Sequence, residues 1–311
     1  VIKGTRAPIV FLSHGDDPAL YSAEYDASVK GGRMSGLASV PSYSASDGAA
    51  YEVFLGRWTR RLAGALLDVA AFPPDGDLLD VGCGTGSLAL AMAERWPGRR
   101  VVGIDVAEPY VAFARSRRAA HPAIFDVGNA CDLPYEGGAF AGAAAQLVLN
   151  FVADPDRAIG EMRRVTRPGG TVAASVWDFR GGLVYQRLFW DTAAAIDPRA
   201  GAARDRLFSG ALALPGGLEG LFRRAGLAQV EGASVTIRMD YADFDDYWLP
   251  LFGGQSPVGA YAAALPPELR SRLTEAVRAA YLSGAPDGPR SMTATAWTVR
   301  AVVPEAEGGV R

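Results

Sequence analysis

From residue 47 onward, the hydrophobic positions along this chain fall into two periods that take turns. Tyr51, Phe54, Leu55, Trp58, Leu62, Leu66 and Val69 recur every three or four residues. That spacing predicts a helix with one apolar face, opened by Asp47 as N-cap and closed by Pro73-Pro74-Asp75-Gly76. Short apolar runs starting at Leu78, Arg100, Ala123, Phe140 and Thr171 read as buried strands, the last two spanning 140–149 and 171–177. Helical stretches separate them at 87–96, 107–119 and from Asp154-Pro155 to Thr166. Strands alternating with helices at this spacing predict a parallel sheet joined by right-handed crossovers.

After Trp177 the pattern changes. Residues 179–214 hold amphipathic pieces with Tyr185, Leu188, Phe189 and Trp190 clustered, and 217–225 reads as a short helix ended by Gly226. Residues 229–239 alternate as a strand with one broken step, and 292–303 form a last strand. Between these two lie about forty aromatic-rich residues and a helix over 268–282. Residues 1–46 carry Gly, Ser, Pro and Asp with little periodicity and begin with Val. Two readings stay open there: a flexible leader, or sequence upstream of a start at Met34. The division that follows is a leader over 1–46, one domain over 47–303 with insertions at 179–214 and 241–290, and a flexible tail over 304–311. No internal repeat is evident.

Between the first strand and helix stands Asp80-Val81-Gly82-Cys83-Gly84-Thr85-Gly86. Glycines at alternate positions let a backbone bend sharply and approach a ligand closely, and the helix that follows points free N–H groups at the same spot. The dinucleotide fingerprint G-x-G-x-x-G fails, because its third glycine is Ser87, and no Gly-Lys-Ser/Thr follows to make a phosphate loop. The second strand ends in Asp105, nineteen positions past Gly86. A carboxylate there can accept from both vicinal hydroxyls of a ribose. Gln146 interrupts the apolar run of the fourth strand, near a carboxyl end that faces the ligand crevice of open α/β sheets.

Composition narrows the field. A net charge of -3 gives no basic surface for nucleic acid. Cys83 and Cys131 form no closely spaced pair, which argues against a zinc knuckle or a disulfide framework and for a reduced, cytosolic setting. No apolar run nears the roughly 20 residues of a membrane helix. His14 and His121 belong to no motif, and no metal-ligand cluster is visible.

The D-V-G-C-G-T-G segment closely resembles motif I of the class I S-adenosylmethionine-dependent methyltransferases. Gly128-Asn129-Ala130-Cys131-Asp132-Leu133-Pro134-Tyr135 resembles the adenine-holding segment of the ubiquinone- and menaquinone-biosynthesis C-methyltransferases, the methyltransferase type 11 group. The Arg167-Pro168-Gly169-Gly170 turn between helix and strand is a further signature. Many relatives carry Asp where Asn129 stands, and Asp where Ala141 follows Phe140. The resemblance implies an α/β, doubly wound, seven-stranded and mostly parallel sheet with an antiparallel edge hairpin, plus a helical lid. It implies S-adenosyl-L-methionine as cofactor, held by Asp80, Gly82, Gly84, Thr85, Gly86, Asp105, Asn129, Ala130 and Gln146, with Asp80 meeting the amino group of the methionine moiety. Tyr51 and Trp58 on the first helix, and Tyr247 and Trp248 in the aromatic insertion, are candidates to close over cofactor or substrate.

The expected activity is methyl transfer to a small, apolar or aromatic metabolite by in-line displacement under a lid that excludes water. No catalytic residue is identified; Asp178, Asp245, Asp246 and Tyr247 are candidate proton acceptors. The expected partner is a small molecule, with no nucleic acid, membrane or metal. Two alternatives remain: a non-catalytic regulatory protein that binds S-adenosylmethionine, and a nicotinamide-dependent oxidoreductase.

Overall fold

A computed structural model describes residues 47–117, 123–253 and 257–305. The leader with His14 and Met34, the loop with His121, and residues 306–311 of the tail lie outside the described residues. Asp47 caps the first helix as its sequence predicts, accepting from the N–H groups of Ala49 and Ala50. That helix has a feature the spacing did not show. Helix α1 (Gly48–Tyr51) passes through a π-helical turn (Glu52–Gly56) before continuing as α2 (Arg57–Ala70). Gly56 explains the turn in part. A Cβ there would collide with the Glu52 carboxylate, which folds back along its own helix. Turns of this kind are frequent at functional sites.

The sheet follows the predicted succession. Strand β1 (Leu78–Val81) leads through the glycine turn into α3 (Ser87–Arg95), and β2 (Val101–Asp105) into α4 (Glu108–Ser116). Strand β3 (Ile124–Val127) is short, and β4 (Phe140–Gln146) is followed by α5 (Pro155–Val165) and β5 (Thr166–Trp177). Then come α6 (Val184–Ile196), α7 (Pro198–Phe208), α8 (Gly217–Arg224) and β6 (Ala228–Tyr241). Helices α9 (Phe244–Trp248), α10 (Pro257–Ala263) and α11 (Pro267–Leu282) precede β7 (Arg290–Val302). The seven strands lie in the order β3-β2-β1-β4-β5-β7-β6. β1 to β5 are parallel, and β7 runs antiparallel between β5 and β6.

Several boundaries differ from expectation: β5 begins at Thr166 instead of Thr171, taking in the Arg167-Pro168-Gly169-Gly170 turn. Strand β4 stops at Gln146 instead of residue 149, because Leu147 takes a left-handed φ of 63° and donates its N–H to Ser175. The chain then turns through a short 3-10 segment, Leu149–Phe151. The broken step in β6 lies beside a register shift between Ala228 and Glu231, where Gln229 has a φ of 49°.

Both faces of the sheet are covered, so alternate residues of one strand enter different cores. Leu78 packs with Leu66, Leu88 and Val111 of α2, α3 and α4. Leu79 and Val81 pack with Ile159 and Met162 of α5 and Leu221 of α8. A third core joins α2 to α6 and to helices α9 to α11 through Phe189, Tyr241, Tyr247 and Tyr281. No described helix is long and apolar enough to cross a membrane.

Candidate active site

All three motif glycines adopt positive φ: 71° at Gly82, 52° at Gly84 and 91° at Gly86. A residue with a side chain pays about 1–2 kcal/mol for that conformation. Their surroundings then separate their roles. A Cβ on Gly82 would collide with Val148, and one on Gly86 would press on Phe125 and Ala114. Those two glycines let elements pack. A Cβ on Gly84 would meet only Tyr110 Cδ2, at 3.8 Å, and otherwise enter open space.

That space is a cavity of about 530 Å³ at the carboxyl ends of the strands. Its wall includes Gly82, Gly84, Asp105, Tyr110, Asn129 and Ala130. It also includes Phe54, Leu55, Gln146, Trp177, Phe179 and Tyr185. Tyr51 lies on the wall as well, its ring 5.3 Å from that of Tyr110. The sheet order brings these residues together, because β2, β1, β4 and β5 lie side by side and Asp105, Gly82, Gln146 and Trp177 stand at or just past their carboxyl ends.

Asp105 bridges the turn to the next helix. Its two oxygens accept from Gly84 N–H and Ala107 N–H, each at 2.8 Å. A carboxylate offers about four acceptor sites, so each oxygen keeps capacity for a ligand hydroxyl. Burial pushes the carboxyl up from its usual value, and the backbone N–H groups of Ala107, Gly84 and Val106 only partly counter it. A hydroxyl donor in the cavity would favour the charged form. Gln146 donates to the Thr59 carbonyl at 3.1 Å, while its own carbonyl oxygen is buried without a partner. Asn129, exposed at the rim, spends its amide oxygen on Cys131 N–H.

Asp80 and Thr85 lie off the cavity wall. Asp80, 1% exposed, shares the β1 face of Leu78 and sits under the turn. One of its oxygens accepts Ala89 N–H at 2.9 Å in the first turn of α3, and the other has no partner. Burial raises its pKa to about 8. Thr85 donates to Glu52 at 2.6 Å. Arg117 joins the same group, donating to Glu52 at 3.2 Å and to the Thr85 carbonyl at 2.9 Å, and Arg60 also pairs with Glu52. The π-helical turn is thereby tied to the glycine turn.

The aromatic candidates divide. Tyr51 reaches the cavity; Trp58, Tyr247 and Trp248 do not. Trp58 packs edge-on against Tyr241 under the Arg57 guanidinium. Tyr247 is buried against Tyr281 and donates to the Tyr185 carbonyl, and Trp248 stacks on Phe244. These rings form the third core, because their own helices close on one another before they can reach a ligand. The proton-acceptor candidates are elsewhere too. Asp178 holds the turn at Arg180 and Gly181, Asp246 pairs with Arg57, and neither they nor Asp245 line the cavity.

Three wall or latch residues escaped the sequence reading. Glu52 and Tyr110 carry no spacing signal. Gln186 carries a weak one: with Arg187 it makes a polar break in an otherwise apolar run from Leu183 to Trp190. No group of His, Cys, Asp and Glu able to hold a metal ion occurs among the described residues.

The observations fit an S-adenosylmethionine site: a side-chain-free cradle at Gly84 and, on the same cavity wall, a carboxylate at Asp105 with acceptor capacity to spare. The family described as a methyltransferase domain matches residues 79–174. The demethylmenaquinone methyltransferase of Thermus thermophilus is 38% identical over 141 residues, 43% of this chain and 61% of that protein. The nocamycin O-methyltransferase of Saccharothrix syringae is 30% identical over 187 residues, 55% of this chain and 66% of that one. The chain thus spans less than two thirds of these relatives. A solved structure of Haemonchus contortus phosphoethanolamine N-methyltransferase 2, in complex with phosphomonomethylethanolamine and S-adenosylhomocysteine, shares the fold. Its TM-score is 0.52 at 17% identity, covering 83% of this chain and 57% of that one. Over β1 to β5 the chain is thus similar to the class I S-adenosylmethionine-dependent methyltransferases.

Proposed function

We propose that this chain transfers the methyl group of S-adenosylmethionine to a small, apolar or aromatic molecule. One observation carries the reading: a single cavity is walled both by the glycine turn and by the apolar side chains Phe54, Trp177 and Phe179. When bound, S-adenosylmethionine supplies an electrophilic methyl on a positively charged sulfur. Gly84 and Asp105 would hold it by its amino-acid and sugar parts, with Gln146 on the same cavity wall. The apolar wall strips water from the acceptor and aligns it, which is the main work such a displacement asks of a protein. The titratable groups on the cavity wall are Asp105, Tyr51, Tyr110, Cys131 and Tyr185 among the described residues. Burial pushes the Tyr51 and Tyr185 phenols well above their usual value, so both keep their protons at neutral pH. We therefore assign the acceptor a nucleophile that needs no protein base: an amine, a stabilised carbanion or an acidic hydroxyl.

Calorimetry with S-adenosylhomocysteine, followed by a methyl-release assay over apolar and aromatic acceptors, tests this. Donor binding with turnover on at least one acceptor is the expected result. Binding with no turnover on any would favour a regulatory protein, and no binding would end both readings.

A further inference from the structure

Strand β6 leaves its outer edge open. It is the last strand of the sheet, 14 residues long, and pairs with β7 alone among the described residues. Thr295 of β7 gives its N–H to Gly182 and accepts from Asp178 N–H, just past β5 and away from β6. Its neighbour Thr236 therefore points its own N–H and carbonyl outward. By the alternation of an antiparallel ladder, so do Gly232, Ser234 and Arg238. Among the described residues one hydrogen bond reaches this edge, from the Arg61 guanidinium to the Arg238 carbonyl at 2.6 Å. An open edge is a template for another strand, and proteins blunt the edges they keep free with charge, proline or a bulge. Here such devices stand at the two ends. A register shift and the Glu231–Arg300 ion pair lie at one, and Arg238 with Asp240 at the other. Between them, residues 232–237 carry no charge and no proline, and Gly232, Ala233, Ser234 and Thr236 are exposed.

Charge decides what fits this edge. A Cβ on Gly232 would collide with the carboxylate of Glu219 on α8, so Glu219 lies over Gly232. Arg238, six positions on, projects from the same face of the strand. Glu219 is half-buried and has no ion pair among the described residues. Now let a second β6 run antiparallel to the first, with Val235 opposite its counterpart. Ser234 then faces Thr236 of the second copy, and Gly232 faces Arg238 of the second copy. Residues directly opposite share a face and interact. The guanidinium of each copy is thereby brought to the Glu219 carboxylate of the other.

We propose that β6 is a homodimer interface, at which two copies of this chain pair edge to edge about a two-fold axis with Ser234 opposite Thr236 and Arg238 beside Glu219. A two-fold contact needs a self-complementary surface. The uncharged middle and the opposite charges at its two ends supply one. The Arg238 carbonyl has a second lone pair, so Arg61 can keep its hydrogen bond. The proposal is independent of the methyl-transfer reading.

Sedimentation velocity of the full chain over about 1–100 μM tests it. Wild type is expected as a monomer at the low end and a dimer at the high end. Thr236→Pro removes an outward N–H and none from the β6–β7 ladder, a position where an edge strand tolerates proline. It should raise the Kd of dimerisation about tenfold or more. Arg238→Glu should do the same, and adding Glu219→Arg should restore dimerisation with the signs of the pair exchanged. Thermal unfolding checks that each variant is folded, and the charge exchange decides the matter if Thr236→Pro does not fold. A wild type that stays monomeric throughout overturns the proposal and leaves the edge to a strand of another protein. A dimer that either folded variant leaves unmoved, or that the charge exchange fails to restore, overturns it as well.

Discussion

At the scale of single residues, the site separates positions that face a ligand from positions that hold the turn. Gly84 opens onto the cavity, whereas Gly82 and Gly86 are pressed by Val148 and Phe125. Gly84→Val should therefore abolish measurable binding of S-adenosylhomocysteine while lowering stability by only about 1–2 kcal/mol, the cost of a left-handed backbone. Calorimetry and thermal unfolding on the same sample check both parts. Asp105→Ala should weaken donor binding by about 1.5–3 kcal/mol, the worth of hydrogen bonds to a charged group; unchanged affinity would remove Asp105 from the site. Asp80 makes a prediction in pH. Its folded pKa of about 8 is raised above the ordinary carboxylate value. The folded form thus binds the proton more tightly, and the stability this contributes is present at low pH and lost as pH rises through about 8. Asp80→Asn, neutral throughout, should lose less stability between pH 5 and pH 9 than wild type, by at least about 1 kcal/mol. Unfolding curves across that range, without ligand, would expose an equal loss in both proteins.

At the scale of elements, a latch of hydrogen bonds and ion pairs ties the π-helical turn of the first helix to the glycine turn. Glu52 meets Thr85 and Arg117 across thirty-three and sixty-five residues of sequence. Glu52→Ala should loosen residues 47–56, raise their rate of proteolytic cleavage, and weaken donor binding by about fivefold, the scale of one hydrogen bond. Donor affinity and cleavage both at wild-type levels would make the latch ornamental to binding. The sequence made the helix plain, because its apolar face recurs over five turns. It hid the π turn and the latch, because both depend on Gly56 leaving room for a carboxylate whose partners are distant in the chain.

At the scale of the whole molecule, legibility follows sequence distance. Strands β1, β2, β4 and β5 are buried on both faces and appear as continuous apolar runs, so the parallel sheet and its glycine turn could be read in order. The region after Trp177 could not be. Its aromatic residues show no period that distinguishes core from lid, and the contact that decides Tyr247, to Tyr185, spans sixty-two residues. Of the residues expected to close over the site, Tyr247 and Trp248 pack instead into a core that joins α6 to α9 and α11. The cavity wall on that side comes instead from Tyr185, Gln186 and Leu207. A ligand that fills a cavity shared by both halves should stabilise the entire domain. S-adenosylhomocysteine at a hundredfold its Kd should add about 2.7 kcal/mol, raising Tm by roughly 5–10 °C.

The central claim is that Gly84 and Asp105 cradle S-adenosylmethionine at the carboxyl ends of β1 and β2. Calorimetric titration of the wild-type protein with S-adenosylhomocysteine, and separately with NADH, tests it most directly. The account predicts one-to-one binding of the first, lost in Gly84→Val, and no heat from the second. Binding of NADH in its place, or of S-adenosylhomocysteine with equal affinity to wild type and Gly84→Val, would contradict it.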